Sequence, residues 1–369
     1  MTDNSQGRSH RLAIVVSSDR RRGAEVFGEA LAGGIRAQGW EAGLFSLASS
    51  ARGPRVDATP LSATAPDQLG KLDPAVVRRL RSEMKRYAPD VVLANGAATM
   101  QYAVAGLRVM RDRPRLVYSS IGEPSYWIRN RRHRAVRAAI LRGVDRVLSV
   151  SETTARQLVD HLGVPASKVR VAPTGVPARF FTVEPEPAAD ELRVIFIGNL
   201  SAEKDPLAAL DVLTEGLRQA AMTLRYLGAG PLQSALERGV LDRDLGGAVE
   251  IMGSVADVLP HLAWADVLLL TSRTEGLPGV PLEAGAAGVP SVVYAAGGAA
   301  ETVRDGETGR VVAKGDVDAA AAALVELARD PIKRRKWGDA ARAMVRERFT
   351  LEASVQRYIQ LLGDEVRER

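Results

Sequence analysis

Two carboxylates, Glu275 and Glu283, stand with seven residues between them in a stretch that runs Thr274-Glu-Gly-Leu-Pro-Gly-Val-Pro-Leu-Glu283. A carboxylate accepts hydrogen bonds from neighbouring hydroxyls, the chemistry needed to hold a ribose or a hexose. The spacing alone fits equally well a helix start decorated with acids that suit the macrodipole. The elements around the pair narrow the reading. The preceding run Asp266-Val-Leu-Leu-Leu270 has the length and composition of a strand buried on both faces. The segment from Leu282 to Ala287 reads as helix, so Glu275 falls in the loop and Glu283 one turn inside the helix. In a parallel α/β sheet, ligands bind at the carboxyl ends of the strands, where loop amides and helix N-termini point outward.

The 369 residues predict two domains. Hydrophobic content of 46% and charged content of 25% are those of a globular protein, and an aromatic fraction of 5% fits an α/β enzyme better than a β-rich module. With no cysteine, disulfides, thiolate metal sites and cysteine nucleophiles are excluded. His10, His133, His161 and His261 are too dispersed to predict a metal centre. The first ten residues hold no apolar signal segment, and no run is long enough to span a membrane, so a cytoplasmic location is expected. A net charge of +6 allows anionic partners such as nucleotide phosphates and acidic lipids. No nucleic-acid motif accompanies it, and the few aromatics argue against a base-stacking platform.

Read in order, strands are predicted at 11–18, 41–47, 89–95 and 115–119, with helices at 24–38 and 74–87 and a loop at 50–73. Ser119, Ser120 and Glu123 are the polar groups after the fourth strand. Between Trp127 and Gly143 come Arg129, Arg131, Arg132, Arg134, Arg137 and Arg142 without one acid. Ile128, Ala135, Val136, Ala139 and Ile140 form one helical face opposite them. Such a segment suits a solvated helix face or, with Tyr126 and Trp127 at its start, an anionic membrane surface. A strand–helix–strand run through 144–176 closes the first domain, and the Pro- and acid-rich 177–191 reads as the linker. A second α/β unit starts at Leu192, and its last helix, 351–366, shows an apolar face of Leu351, Val355, Tyr358, Ile359 and Leu362. Two Asp-x-Asp triplets, Asp242–Asp244 and Asp316–Asp318, read as surface turns and caps. Gly228-Ala-Gly230 lacks the third glycine of a dinucleotide fingerprint, which disfavours a nicotinamide dehydrogenase.

The Glu-x7-Glu spacing with its Glu-Gly-Leu-Pro-Gly-Val core resembles the signature of the retaining family 4 glycosyltransferases. The likeness runs from Gly23 to the last helix and is densest between Gly198 and Thr308. It implies the GT-B architecture: two Rossmann-like domains with parallel sheets facing a cleft, and a C-terminal helix crossing back to the first domain. The implied bounds are 1–180 with 348–369 for the acceptor domain and 191–347 for the donor domain. By the same resemblance, a nucleoside diphosphate sugar is the donor, Glu275 holds the sugar hydroxyls and Glu283 the ribose. Lys204, within Gly198-Asn-Leu-Ser-Ala-Glu-Lys204, grips the diphosphate together with the amides of Leu277, Gly279 and Val280, and Gly276 belongs to the same donor site. Asn199 stands where the family carries an arginine, so either Arg273 or Arg22 meets the remaining phosphate charge or donor affinity is weaker. Gly23 belongs to the family's first glycine loop, Gly230 to the turn after the next strand, and Val255 to the base-contacting loop. The family's histidine after the fourth strand is absent.

The resemblance further implies transfer of a hexosyl or N-acetylhexosaminyl group with retention, without metal or cofactor. An acceptor among glycolipids, polysaccharides and phosphorylated small molecules is expected; read from its residues, the basic 129–142 segment is either a solvated helix face or a peripheral contact with the inner membrane face. Two alternatives fit the same residues: a sugar-nucleotide 2-epimerase or phosphorylase of this fold, and a non-catalytic sugar-binding protein.

Overall fold

The computed structural model describes residues 9–49, 54–63, 72–126, 128, 130–187 and 189–367. The chain divides into two units, one running to Gly175 and resuming at Leu351, the other spanning Val176–Thr350. The expected linker therefore groups with the second unit: Ala178–Thr182 forms a 3-10 turn that buries Phe180.

The first unit alternates strand and helix: β1 Arg11–Ser18, α1 Gly23–Ala37, β2 Glu41–Ala48, β3 Thr59–Pro60, α2 Pro74–Tyr87, β4 Val91–Asn95, α3 Ala97–Leu107, β5 Arg115–Ser120, α4 Arg131–Leu141, β6 Arg146–Ser149, α5 Glu152–Leu162 and β7 Val169–Val171. The strands form one parallel sheet in the order β3-β2-β1-β4-β5-β6-β7. Its apolar runs follow from helices covering both faces. In β1, Leu12, Ile14 and Val16 enter one core while Ala13 and Val15 enter the other.

In the second unit come β8 Leu192–Ile197, α6 Pro206–Gly216, β9 Met222–Leu227, α7 Gln233–Asp242, β10 Val249–Ile251, α8 Leu259–Trp264, β11 Val267–Leu270, α9 Gly279–Ala286, β12 Ser291–Tyr294, β13 Gly309–Val312, α10 Val317–Arg329 and α11 Pro331–Arg348. The sheet is parallel throughout, in the order β10-β9-β8-β11-β12-β13. Both units thus have the expected parallel α/β architecture.

The last helix, α12 Leu351–Arg367, belongs to the first unit. It lies so close to α1 that a Cβ at Gly34 would meet Val355 Cγ2 at 2.4 Å. Ser354 Oγ donates to the Pro173 carbonyl at 2.8 Å, and the buried Glu365 carboxylate pairs with Arg146. Trp127 and Arg129 lie outside the described residues. In α4, Ala135, Val136 and Ala139 are exposed, leaving Leu141 buried and Ile140 half-buried against the core. Asp316 caps α10 by accepting from the Ala319 amide, as a cap reading of its triplet requires.

Candidate active site

In the second unit the first strand, β8, is central. Chain growth goes from β8 to β9 on one side and returns to β11 on the other. The crevice between β8 and β11 is the topological switch point, where loops leave in opposite directions and a ligand finds open backbone. The loop after β8 carries Asn199, Lys204 and Asp205. The loop after β11 carries Arg273, Glu275, Gly276 and Leu277 and feeds the N-terminus of α9.

These loops are stapled together. Lys204 Nζ lies 2.5 Å from Glu275 Oε1, both side chains being largely withdrawn from water. The Arg273 amide donates to the Glu203 carbonyl at 2.8 Å, and Thr271 Oγ1 donates to the Asp205 carbonyl at 2.9 Å. The expectation that Arg273 supplies the charge missing at Asn199 meets a specific arrangement. Arg273 Nε is bound to Asp205 Oδ2 at 2.6 Å, so that guanidinium already faces a carboxylate. Arg22 lies in the first unit as the extended N-cap residue of α1. Asn199 is exposed.

Helix α9 begins at Gly279 with Pro278 as its N-cap and no side chain capping it. The first amides of a helix have no partner within it, and Pro281 has none to offer, so Gly279 and Val280 present the N-terminal donors. Glu283 sits one turn on, half-buried, and its Oε1 would be 3.9 Å from a Cβ at Gly279. Burial pushes the Glu283 carboxyl up to about 7, a rise that the charge of Arg179 partly offsets. Gly276 and Leu277 are buried in the loop that joins the two glutamates, and Val255 is half-buried in the loop after β10.

Gly228 and Gly230 have a packing reason for being glycine. At Gly228, with φ +138°, a Cβ would lie 1.9 Å from the Gly198 carbonyl oxygen, and at Gly230 2.4 Å from that of Leu200. The turn after β9 therefore supports the loop that carries Lys204. Gly23, the first residue of α1, has open space around its Cβ position. Three participants escaped the sequence reading: Asp205, Thr271 and Arg179. The signals were a polar residue between Lys204 and Pro206, a threonine at a strand end, and an arginine within apparent linker.

In the first unit, Ser119 Oγ lies 3.5 Å from the Tyr358 hydroxyl, and Glu123 Oε1 accepts from Gln157 at 3.0 Å and Ser125 at 3.3 Å. Among the described residues no group of three or more His, Asp or Glu is placed to hold a metal ion.

Two family profiles match this arrangement: one described as Glycosyltransferase Family 4 over residues 21–180, the other as Glycosyl transferases group 1 over 191–330. A GDP-mannose-dependent alpha-(1-6)-phosphatidylinositol monomannoside mannosyltransferase of Mycolicibacterium smegmatis is 31% identical over 313 residues, 79% of this chain and 81% of the relative. The chain belongs to the family 4 glycosyltransferases. The Mycobacterium tuberculosis H37Rv protein of the same description is 31% identical over 335 residues, 84% of each chain. Among solved structures, Anabaena HepE in complex with UDP and glucose aligns with a TM-score of 0.81 at 20% identity, covering 96% of this chain and 99% of the other. Sucrose-phosphate synthase from Thermosynechococcus elongatus aligns at 0.84 and 20% identity, covering 98% and 100%. These two share the GT-B glycosyltransferase fold. The chain is accordingly a glycosyltransferase that uses a nucleotide-sugar donor.

Proposed function

We propose that this glycosyltransferase moves a hexosyl group, with retention and without a metal ion, to a hydroxyl of a membrane-borne glycolipid acceptor. The observation carrying the reading is the meeting of Lys204 and Glu275 at the β8–β11 switch point beside the uncapped N-terminus of α9. Lys204 and the amides of Leu277, Gly279 and Val280 hold the donor diphosphate, and Glu283 holds the ribose. Glu275 holds hydroxyls of the sugar. As the bond between the anomeric carbon and the diphosphate breaks, negative charge grows on the phosphate oxygen. Preorganised donors around it lower the barrier. The acceptor hydroxyl forms the new bond on the face that the diphosphate leaves, and its proton passes to that phosphate oxygen. No side-chain nucleophile is required.

The mannosyltransferase relatives favour GDP-mannose as donor and a phosphoinositide glycolipid as acceptor. Consistent with a membrane-borne acceptor, Arg131, Arg132, Arg134 and Arg142 are exposed on and just after α4, and Tyr126 and Val136 are exposed as well. Cations interspersed with apolar groups suit the surface of an anionic bilayer. No helix among the described residues is long and apolar enough to cross a membrane.

The experiment is transfer from GDP-mannose and from UDP-glucose to a lipid extract, in EDTA, with the anomeric configuration of the product read by NMR. An α-linked product from an α-linked donor is expected. Inversion, or activity only on adding a divalent cation, overturns the mechanism. Flotation with phosphatidylglycerol vesicles at low salt tests the surface: capture is expected, and its absence rules α4 out as a docking face.

A further inference from the structure

We infer that Asp205 and Arg273 are positioning residues of the donor site, their ion pair setting the separation of Lys204 and Glu275. The inference rests on reading that site as one for a nucleoside diphosphate sugar.

Asp205 is a non-glycine residue in the left-handed region, with φ 48° and ψ 62°. It holds the N-cap position of α6, where an aspartate ordinarily accepts from an amide of the first helical turn. Its carboxylate makes no capping bond. Instead Oδ2 takes the Arg273 Nε–H at 2.6 Å. Asp205 thus accepts an unfavoured backbone conformation and forgoes the local bond that its side chain is best suited to make. In exchange it gains a contact to a residue 68 positions away. Local rules broken together in this way mark positions fixed by function more than by local stability.

The contact lies one residue beyond Lys204 and two before Glu275. It runs beside the Arg273 amide bond to Glu203 and the Thr271 hydroxyl bond to Asp205. Behind it, Lys314 Nζ donates to the Arg273 carbonyl at 3.3 Å. Two backbone-anchored bonds and one side-chain pair tie the loops after β8 and β11 to one another. Lys204 and Glu275 must act together, one on the phosphates and the other on the sugar. A shift of about 1 Å between two such groups can cost on the order of a hundredfold in rate. The pair therefore belongs to the rate of transfer more than to donor affinity.

The rival role is direct contact of Arg273 with the diphosphate. Releasing Arg273 from Asp205 has different consequences under the two roles. Asp205→Gly keeps the left-handed backbone at ease and removes the carboxylate. Asp205→Asn keeps an acceptor and a residue tolerant of that conformation. These variants, Arg273→Gln and the Asp205→Gly/Arg273→Gln double variant are compared in the full chain. The readouts are GDP affinity by calorimetry, donor kcat and KM, and thermal unfolding.

The expected result is a fall in kcat of about tenfold for Asp205→Gly and for Arg273→Gln, with GDP affinity within about threefold and the double variant no slower than the singles. Asp205→Asn recovers part of the loss. Wild-type kcat in Asp205→Gly overturns the inference, as do additive losses. So does Arg273→Gln losing GDP affinity while Asp205→Gly keeps it, which assigns Arg273 to the phosphates. A wild-type chain that binds no nucleoside diphosphate and turns over no sugar nucleotide overturns the functional reading itself.

Discussion

Lys204 and Glu275 neutralise one another: the ammonium nitrogen lies 2.5 Å from a carboxylate oxygen that is nearly withdrawn from water. In the absence of donor, each group is the other's ligand. A diphosphate competes with Glu275 for Lys204, and engagement of the cation leaves Glu275 to accept sugar hydroxyls. Replacing Glu275 by Gln removes the competitor. The variant is expected to bind nucleoside diphosphate within a few-fold of wild type, or more tightly, while transfer falls by about a hundredfold or more. Equal loss of affinity and turnover contradicts the assignment of Glu275 to the sugar.

Lys204→Ala acts in the opposite sense. It removes a charge-assisted bond worth about 2 kcal/mol and leaves the Glu275 carboxylate facing the phosphates. Nucleoside diphosphate affinity should fall at least tenfold, read by calorimetry against wild type. Unchanged affinity would exclude Lys204 from the diphosphate site.

Glu283 gives a pH signature. Its carboxyl is raised by burial from 4.5 to about 7 in the folded chain. The folded state holds the proton that the unfolded state releases. The stability contribution of the protonated form is therefore complete below about 4.5, declines as pH rises towards about 7, and changes no further above it. The span is on the order of 1–3 kcal/mol. Glu283→Gln, always neutral, should flatten urea-unfolding stability between those limits. A variant whose pH profile parallels wild type excludes Glu283 as the titrating group.

The Glu-x7-Glu core and both parallel sheets were legible because their causes are local: apolar runs bounded by glycine and proline, and a loop entering a helix. The fate of Arg273 was not. Its charge and its place beside Glu275 pointed to phosphate, but its partner Asp205 is 68 residues away in sequence. No local pattern brings those loops together; the β8–β11 pairing does. On α4, Ala135, Val136 and Ala139 are exposed, as both a solvated face and a membrane-facing one require, so the local periodicity left the choice between them open. Phe180, within apparent linker, is buried because that segment packs against α9, a contact that proline content conceals.

The closing helix tests long-range packing. Glu365 is 1% exposed and its charge is met by Arg146, while its carbonyl accepts from Arg115 Nε at 3.3 Å. Glu365→Ala leaves a largely buried guanidinium facing an emptied position, at a cost of about 3 kcal/mol. Urea unfolding of the full chain should show that loss in the transition of the first unit. A variant within about 0.5 kcal/mol of wild type shows that water or Ser167, whose carbonyl Arg146 also contacts, suffices.

The resemblance places both Gly23 and Gly230 in donor-site loops, and their surroundings separate them. A Cβ at Gly230 would stand 2.4 Å from a backbone oxygen of Leu200, an atom that cannot rotate aside. That oxygen also accepts the Leu232 amide at 2.8 Å, and the Leu200 amide donates to Ala229, so the turn after β9 and the loop after β8 are hydrogen-bonded across the same contact. Gly230→Ala must push the two apart and carry Lys204 with the displaced loop. Both thermal stability and donor turnover should fall, turnover by about tenfold or more. Gly23→Ala meets open space at a helix start, so its fold should be unaffected or slightly stabilised, since alanine restricts the unfolded chain. If Gly23→Ala nevertheless loses transfer while unfolding at the wild-type temperature, its space belongs to substrate, and the sequence-level placing of Gly23 in the site stands on measured ground.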